Sequence, residues 1–544
     1  MSTAVSPERE LRESPAYTAP ADSLPAWLKL TRQHVLFAIL FAALYWYLAW
    51  LPLWHSDLWL HVKIGEWIWT HGRLPTADVF LPLSEGVRYI DDAWLSQLIF
   101  YGVHSAAGLE GLSLVYAVTV ALVFAFLFTA GWSATGRVWP SILALVALLP
   151  ILWPNLMPIR PQMFGGLLFV VLLTLVGRRW HGANWFVVPL IVGLWTNLHS
   201  SFVIGLIVLA CTVVGRAIDV WRDSRRVAAT LRDADVRRWF LVSELAFAAC
   251  LVNPYGLELL HTVLTFGDCP NLRDMVEWQP LSVRSWDGVG FFASIVALIW
   301  LMRTSRRPLA ATEAFLLAVF VLACLPHQRF TYWWGLFVPF VFLPHVAGII
   351  DRWLPRRATA QPRSLKHTLV AAVACWVIFA YSAPGNALVH HRPRRLEGGV
   401  SRLTPVETAN FLCEHPPRGQ VFNPMEWGDW LTWYGPPDIQ CVANSHVHLL
   451  PEEIWQAYQR VVETRTGWEE TLDLLGTTTI VIDRERHKGL LTAISESAKW
   501  RIVHEDRLAV VAERVGGRAE THIDKADGCD PGTPRPTSEK GIGT

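Results

Sequence analysis

The sequence predicts a polytopic α-helical membrane protein with about eleven spans, followed by a small α/β domain outside the membrane. Composition is the first reason: 52% of the 544 residues are hydrophobic and 17% are charged, whereas soluble domains carry roughly 25% charged residues. The second is the placement of arginines, which recur in every other loop between apolar runs. The third is a change after about residue 385, where long apolar runs give way to short alternating segments.

The predicted spans are apolar runs near the length, about 20 residues, that a helix needs to cross a hydrocarbon layer of ~30 Å. They lie at about 34–54, 109–132, 138–157, 161–177, 184–198, 200–218, 239–255, 288–302, 308–326, 330–350 and 367–383.

The loops between these runs predict the orientation, because lysine and arginine are retained on the cytoplasmic side. With a cytoplasmic N-terminus, the loops on that side are all basic, and the opposite loops are acidic or nearly uncharged. The basic loops contain Arg137, Arg178 and Arg179, residues 216–238, residues 303–307 and residues 352–366. The segment "AWLSQLIFYGVHSAAG", residues 93–108, would invert every later loop if it spanned. We therefore expect it to lie in the membrane interface as a short helix.

This pattern divides the chain into four parts. Residues 1–30 are expected to be a disordered cytoplasmic N-terminus, and residues 31–385 form the transmembrane domain, with a first external loop at 55–108. Residues 386–515 are expected to be an extracytoplasmic α/β domain, in which "GQVFN" and "TTTIVIDR" predict strands and "PEEIWQAYQRVV" and "GWEETLDLL" predict helices. Residues 516–544, rich in glycine, proline and charge, are expected to be a disordered tail. The net charge of +1 argues against nucleic acid as a partner.

The predicted topology brings polar residues from five loops to the external face, where charges near the membrane are costly and usually functional. The candidates are Asp57, His61, Asp91, Asp92, Arg160, Asn197, His199, Glu277, His327 and Arg329.

The first external loop supplies the candidate catalytic residues. Asp57, His61 and Gly65 share one helical stripe at i, i+4 and i+8, and Gly65 would leave room for a substrate. Asp91 and Asp92 begin the second helix of the loop, so a carboxylate there could act as general base or join Asp57 in binding a divalent cation such as Mg²⁺ or Mn²⁺, most simply through Asp57 and Asp92. The alternative is structural, since acids favour helix N-termini and an interfacial histidine extends to water.

The other loops supply candidate ligands for a phosphate. Arg160 and Arg329 each lie on an external turn, against the usual charge bias, and a guanidinium matches a phosphate with two hydrogen bonds. Asn197 and His199, in "WTNLHSSF", could bind a sugar or phosphate or satisfy backbone at a turn. A salt bridge to a loop acid is the alternative for either arginine. Glu277 could be a further carboxylate or merely solvated, and His327 lies beside Arg329 in "LPHQRFTYWW".

The chain resembles the C-type (GT-C) glycosyltransferases, which include protein O-mannosyltransferases and the aminoarabinose transferases that modify lipid A. The resemblance covers about residues 35 to 515 and includes an acid just after the first span, two interfacial helices and an outer α/β domain. It is most specific to a group of uncharacterised bacterial multi-spanning proteins. The segments that carry it are "SDLWLHVKIGEWIWTHGRLP", "WLSQLIFYGV", "RPQMFG", "WTNLHSSF", "NPYG", "EWQP" and "VFNPMEWGDWL".

The resemblance implies an enzyme in the bacterial inner membrane that moves a sugar from a polyprenyl-phosphate carrier to a protein, lipid or glycan acceptor outside the cytoplasm. In that family the acid after the first span is the catalytic base or places the acceptor, and that position here is Asp57. External arginines of such enzymes bind the lipid phosphate, a role that would fall to Arg160 and Arg329. This chain departs from the pattern at Ala93 and Gln97, where related sequences often carry glutamates.

Two other functions remain open at this stage. The missing glutamates favour a catalytically degenerate relative that binds a lipid-linked sugar or serves as an envelope scaffold. A transporter would need charged residues near mid-membrane, whereas Glu244 and Glu313 lie close to cytoplasmic ends.

Overall fold

The computed structural model describes Pro25, residues 28–354 and residues 362–516. The predictions of disorder for residues 1–30 and 516–544 therefore fall almost wholly outside the described residues.

Most of the described chain is helical. The helices are α1 (Arg32–Ala49), α2 (Leu58–His71), α3 (Trp94–Thr135), α4 (Val138–Leu156), α5 (Gln162–Val176), α6 (Asn184–Leu198), α7 (Phe202–Ser224), α8 (Val227–Arg232), α9 (Ala234–Cys250), α10 (Leu257–Thr265), α11 (Trp286–Ser305), α12 (Ala311–Cys324), α13 (Thr331–Trp353), α14 (Leu365–Ala380), α15 (Ala383–His390), α16 (Leu396–Gly399), α17 (Val406–Glu414), α18 (Met425–Tyr434), α19 (Glu452–Val462), α20 (Trp468–Leu474) and α21 (Lys488–Glu496).

Each of the predicted spans coincides largely with one of these helices. Within the described residues, six are long and apolar enough to cross a membrane, with mean hydropathies from 1.2 to 2.4: α1, α3, α4, α7, α11 and α13 with the turn before it. Helices α14 and α15 form a seventh candidate with an 88° bend, and α5, α6 and α12 are shorter apolar helices. The protein is therefore a multi-pass membrane protein, while the count of eleven spans and the orientation stay predictions.

Gly108 separates two parts of α3. Its φ of 56° and ψ of −146° are not helical, so the 42-residue element is two helices joined at a kink. A side chain would be strained at this positive φ, which glycine adopts freely. The first part, residues 94–107, is the short helix predicted ahead of the second span. Its position relative to a membrane stays a prediction.

The C-terminal part contains the expected sheet. Its strands are β1 (Gln420–Phe422), β2 (Gln440–Cys441), β3 (Thr477–Asp483), β4 (Trp500–Glu505) and β5 (Ala509–Arg514), in the order β2-β1-β3-β5-β4. Strand β1 pairs in parallel with β2 and β3, and β5 pairs antiparallel with β3 and β4. The strands predicted in "GQVFN" and "TTTIVIDR" and the helices predicted in "PEEIWQAYQRVV" and "GWEETLDLL" are all present.

The sheet-containing part packs directly on the segment at residues 55–108. Trp430 of α18 meets Trp59 of α2 edge-to-face, with ring centroids 4.9 Å apart. Leu53 and Val400 form an isolated parallel bridge just before α2 begins. Because both rings and both aliphatic side chains belong to one continuous apolar core, the C-terminal part is held against the segment that carries Asp57.

Candidate active site

A cavity of about 380 Å³ lies where the segment 55–108, the ends of the apolar helices and the C-terminal part meet. It brings together Asp57, Arg160, Glu277 and Arg329, which the sequence predicted to share one face. The full lining is Ser56, Asp57, Pro154, Asn155, Arg160, Met275, Val276, Glu277, Asp287, Gln328, Arg329, Met425, Glu426, Asp429 and Ser445.

Asp57 occupies the N-cap position of α2, but its side chain does not cap the helix. Its carboxylate faces Arg160 instead: Arg160 Nε donates to Asp57 Oδ2 at 2.8 Å, and Nη2 lies 2.7 Å from the same oxygen. Ser56 Oγ also donates to Oδ2, at 3.3 Å. The alternative in which Asp57 serves as a helix cap therefore does not apply to its side chain.

These neighbours keep Asp57 ionised. Burial raises the pKa of a carboxyl group, but the guanidinium of Arg160 outweighs that effect, and the net pKa of Asp57 lies below its ordinary value. Arg160 also donates to Glu277 Oε2 at 3.3 Å. Arg160 thus has two carboxylate partners, which supports the alternative that this arginine forms a salt bridge to loop acids.

Arg329 differs from Arg160, because it makes no ion pair or hydrogen bond within the described part of the chain. It lies in a 3-10 turn, Gln328–Phe330, with its guanidinium 4.4 Å from the ring centroid of Trp278. His327 helps to fix that ring, since its Nδ1 bonds the Trp278 carbonyl oxygen at 2.9 Å. A half-buried cation beside a cavity with no bonded anion is suited to an anionic ligand.

Asp429 also lines this cavity, and the sequence analysis did not select it. It lies on α18, is fully buried, and accepts hydrogen bonds from Asp57 N through Oδ2 and from Ser445 N, at 3.0 Å, through Oδ1. Burial, reinforced by the charge of Asp57, raises the pKa of Asp429 to about 7. Its segment, "VFNPMEWGDWL", was part of the family resemblance, but spacing alone gave this acid no role.

His61 and Asp91 lie behind the cavity rather than in its lining. Gln97 connects them: its Nε2 is 3.4 Å from His61 Nδ1 and donates to Asp91 Oδ1 at 3.0 Å. Burial lowers the pKa of His61 to about 4 and raises that of the fully buried Asp91 to about 7. Gln97 is thus a neutral link between these two side chains.

Asp92, Asn197 and His199 form part of the packing around the first loop and do not line the cavity. Asn197 accepts from Trp94 Nε1 at 3.0 Å and donates to the carbonyl oxygens of Gly193 and Val252, at 2.8 and 2.9 Å. That full set of bonds supports the structural alternative for Asn197.

His199 is also anchored locally. Its Nδ1 accepts from Ser201 N at 3.1 Å and lies 2.8 Å from Ser201 Oγ. Burial lowers the pKa of His199 to about 4, and Asp92 is the strongest opposing charge. Burial thus favours the neutral ring, and the role of His199 as a phosphate ligand stays a prediction.

Gly65 corrects the expectation of open space beside Asp57 and His61. A Cβ atom on Gly65 would lie 2.1 Å from the backbone oxygen of Gln97. The glycine allows α2 and α3 to cross closely, so the space it leaves is filled by backbone rather than by a substrate.

Among the described residues, no group of three or more His, Cys, Asp and Glu side chains is arranged to hold a metal ion. Asp57 Oδ2 is taken by Arg160, and Asp92 lies outside the lining of the cavity. A cation site between Asp57 and Asp92 therefore stays a prediction, as does the choice of Mg²⁺ or Mn²⁺.

Comparisons with known proteins match this chain by structure and not by sequence. No described protein family and no curated protein matches it. The cryo-EM structure of the arabinofuranosyltransferase AftD from Mycobacteria superposes with a TM-score of 0.51 at 14% identity, over 89% of this chain and 40% of that chain. Two crystal structures of ArnT from Cupriavidus metallidurans, one bound to undecaprenyl phosphate and one in the apo state, give TM-scores of 0.48 and 0.47 at 13% identity, each over 90% of this chain and 99% of the other.

The likeness to AftD confirms the resemblance in fold to the GT-C glycosyltransferases. At 14% identity it shows the fold alone. Activity has to be argued from the cavity and its residues.

Proposed function

We propose that this protein is a membrane glycosyltransferase that moves a sugar from a polyprenyl-phosphate donor to an acceptor hydroxyl outside the cytoplasm. The observation that carries the proposal is the pairing of two groups in one cavity. An ionised carboxylate, Asp57, and an arginine without a carboxylate bonded to it, Arg329, both line it. Glycosyl transfer from a lipid phosphate requires a proton acceptor and a cation in that combination.

Arg329 is the better of the two arginines for the donor phosphate. Arg160 is bonded to Asp57 and Glu277, whereas Arg329 would gain its first bonded anion when a phosphate enters. The cavity also includes Asn155 from the end of α4 and Asp287 from the start of α11. A donor with its phosphate at these helix ends would have its isoprenoid tail among the apolar helices.

The reaction then follows from the two groups. Asp57 accepts the proton of the acceptor hydroxyl as that oxygen attacks the anomeric carbon. The bond from the anomeric carbon to the phosphate oxygen breaks, and its electron pair leaves with the polyprenyl phosphate. Arg329 stabilises the charge that develops on this leaving group. Arg160 holds Asp57 ionised and fixes the direction of its carboxylate.

A catalytically degenerate protein that binds the same lipid is the second candidate. One observation favours it: Gln97 is committed to the link between His61 and Asp91. The family resemblance leads us to expect glutamates at positions 93 and 97, and this chain has Ala93 and Gln97 there. Such a protein would bind the donor without consuming it.

The test is turnover by the purified protein in liposomes supplied with a panel of polyprenyl-phosphate sugars. Release of polyprenyl phosphate together with a glycosylated or hydrolysed product supports the transferase. Saturable binding of a donor with no product in any acceptor mixture supports the binding protein instead.

A further inference from the structure

Asp57 has a backbone conformation that an aspartate adopts only at a cost. Its φ of 57° and ψ of −62° place it at the centre of a tight γ-turn, closed by a 2.7 Å hydrogen bond from Leu58 N to Ser56 O. This turn is rare and strained for a residue with a side chain. Such strain persists only where surrounding contacts hold it in place, so a contact that fixes Asp57 is required.

Asp429 makes that contact. The turn directs Asp57 N toward the C-terminal part of the chain, where it donates to Asp429 Oδ2 at 2.5 Å. The other oxygen of the same carboxylate accepts from Ser445 N at 3.0 Å. The two oxygens of one fully buried side chain therefore connect backbone groups that are far apart in sequence.

The segment that carries Asp429 is itself firmly seated. Trp430 packs against Trp59 of α2, and a Cβ atom on Gly428 would lie 2.1 Å from the Ala443 carbonyl oxygen. That contact brings α18 close to the loop that presents Ser445. Asp429 consequently has little freedom to follow Asp57 if the turn were to relax.

The fold gains little from this carboxylate in any other role. Asp429 is buried, the charge that acts on it most strongly is that of the like-charged Asp57, and burial raises its pKa to about 7. A buried acid beside a second acid is an unfavourable arrangement. Its retention is explained if its oxygens are needed where they are.

We infer that Asp429 is a positioning residue, supplied by the C-terminal part of the chain, that holds Asp57 in the strained turn from which the Asp57 carboxylate faces the cavity. The inference rests on the proposed function only in calling Asp57 the base. It implies that the membrane helices alone do not make a competent site, because the orientation of Asp57 depends on a residue from outside them.

The test compares the wild type with Asp429→Asn by two readouts in the full-length protein. Asparagine keeps the size but has one acceptor oxygen for two N–H donors, so it loses one of the two bonds. We expect deuterium exchange in peptides covering residues 54–60 to become roughly tenfold faster, because the turn opens more often. We expect kcat to fall roughly 100-fold while the donor KM changes by less than about threefold, since the base is displaced but the phosphate site is not.

Asp473→Asn is the matched control, because Asp473 is a half-exposed acid of the same part of the chain that pairs with Lys499 and Arg514 at the surface. It should change neither readout. If Asp429→Asn does not fold, Asp429→Glu keeps both acceptor oxygens one methylene farther out and should show the same changes in smaller degree.

The outcomes separate this inference from the proposed function. If Asp429→Asn exchanges faster but the wild type transfers no sugar, the positioning role is supported and the proposed glycosyl transfer is wrong. Unchanged exchange beside normal wild-type turnover overturns the positioning role and leaves the transferase standing. A loss of kcat with unchanged exchange also overturns it, because Asp429 would then act by another route.

Discussion

Replacing Arg329 with methionine separates donor binding from stability. Methionine keeps much of the length of the side chain and removes the charge. A hydrogen bond from a charged donor to a charged acceptor is worth about 1.5–3 kcal/mol, so losing the phosphate contact should weaken polyprenyl-phosphate binding by roughly 10- to 150-fold. The fold loses only the stacking on Trp278, about 0.5–1 kcal/mol, and gains relief from a cation that burial disfavours. The unfolding temperature of the Arg329→Met variant should therefore lie within a few degrees of that of the wild type.

Arg160→Met is the matched comparison for the same perturbation. It leaves Asp57 and Glu277 without their shared cation, which should cost roughly 1–3 kcal/mol and lower the unfolding temperature. Isothermal titration of polyprenyl phosphate into protein in nanodiscs measures the affinity, and thermal unfolding in the same lipid measures stability. Wild-type affinity in Arg329→Met would refute the assignment of the phosphate to this residue.

Three further substitutions test other parts of the structure. Asp91→Asn should raise the unfolding temperature more at about pH 8 than at about pH 5. The pKa of Asp91 in the folded protein is raised to about 7, so ionisation of this buried carboxyl group destabilises the fold as the pH rises toward that value, and asparagine cannot ionise. Gly65→Ala should destabilise by about 1–3 kcal/mol in thermal unfolding, since its Cβ meets backbone of α3; an unchanged midpoint would contradict the close crossing. Glu110→Gln should cost about 3–5 kcal/mol in the same assay by breaking the buried pair with Arg394, whereas Glu463→Gln, at an exposed pair, should cost at most about 1 kcal/mol.

Sequence patterns predicted the helices and the grouping of four candidate residues, because both follow from the order of apolar runs and basic loops along the chain. Apolar runs predicted the helical segments. The alternation of basic loops predicted that residues 94–107 form a helix separate from the one that follows, and the structure has this division at Gly108. The same alternation put Asp57, Arg160, Glu277 and Arg329 on one face, and they share one cavity.

Contacts between distant segments could not be read from the sequence. The spacing of Asp57, His61 and Gly65 predicts a common helix face but not what packs against that face. In the structure, Gly65 lies where α2 crosses α3 closely. Asp429 reaches Asp57 from 372 residues away. Spacing carries no information on such a contact, and the family resemblance included the segment of Asp429 without giving this acid a role.

The central claim is that Asp57 is the base, and the direct measurement is sugar transfer in liposomes by the wild type and by Asp57→Asn. Asparagine keeps the size of the side chain and removes the proton acceptor, so transfer should fall by roughly 10²- to 10⁴-fold. Asp268→Asn, an exposed acid outside the cavity, should transfer at the wild-type rate, and thermal unfolding should confirm that Asp57→Asn is folded. Transfer by Asp57→Asn at the rate of the wild type would contradict the account and move the base to another carboxylate of the cavity.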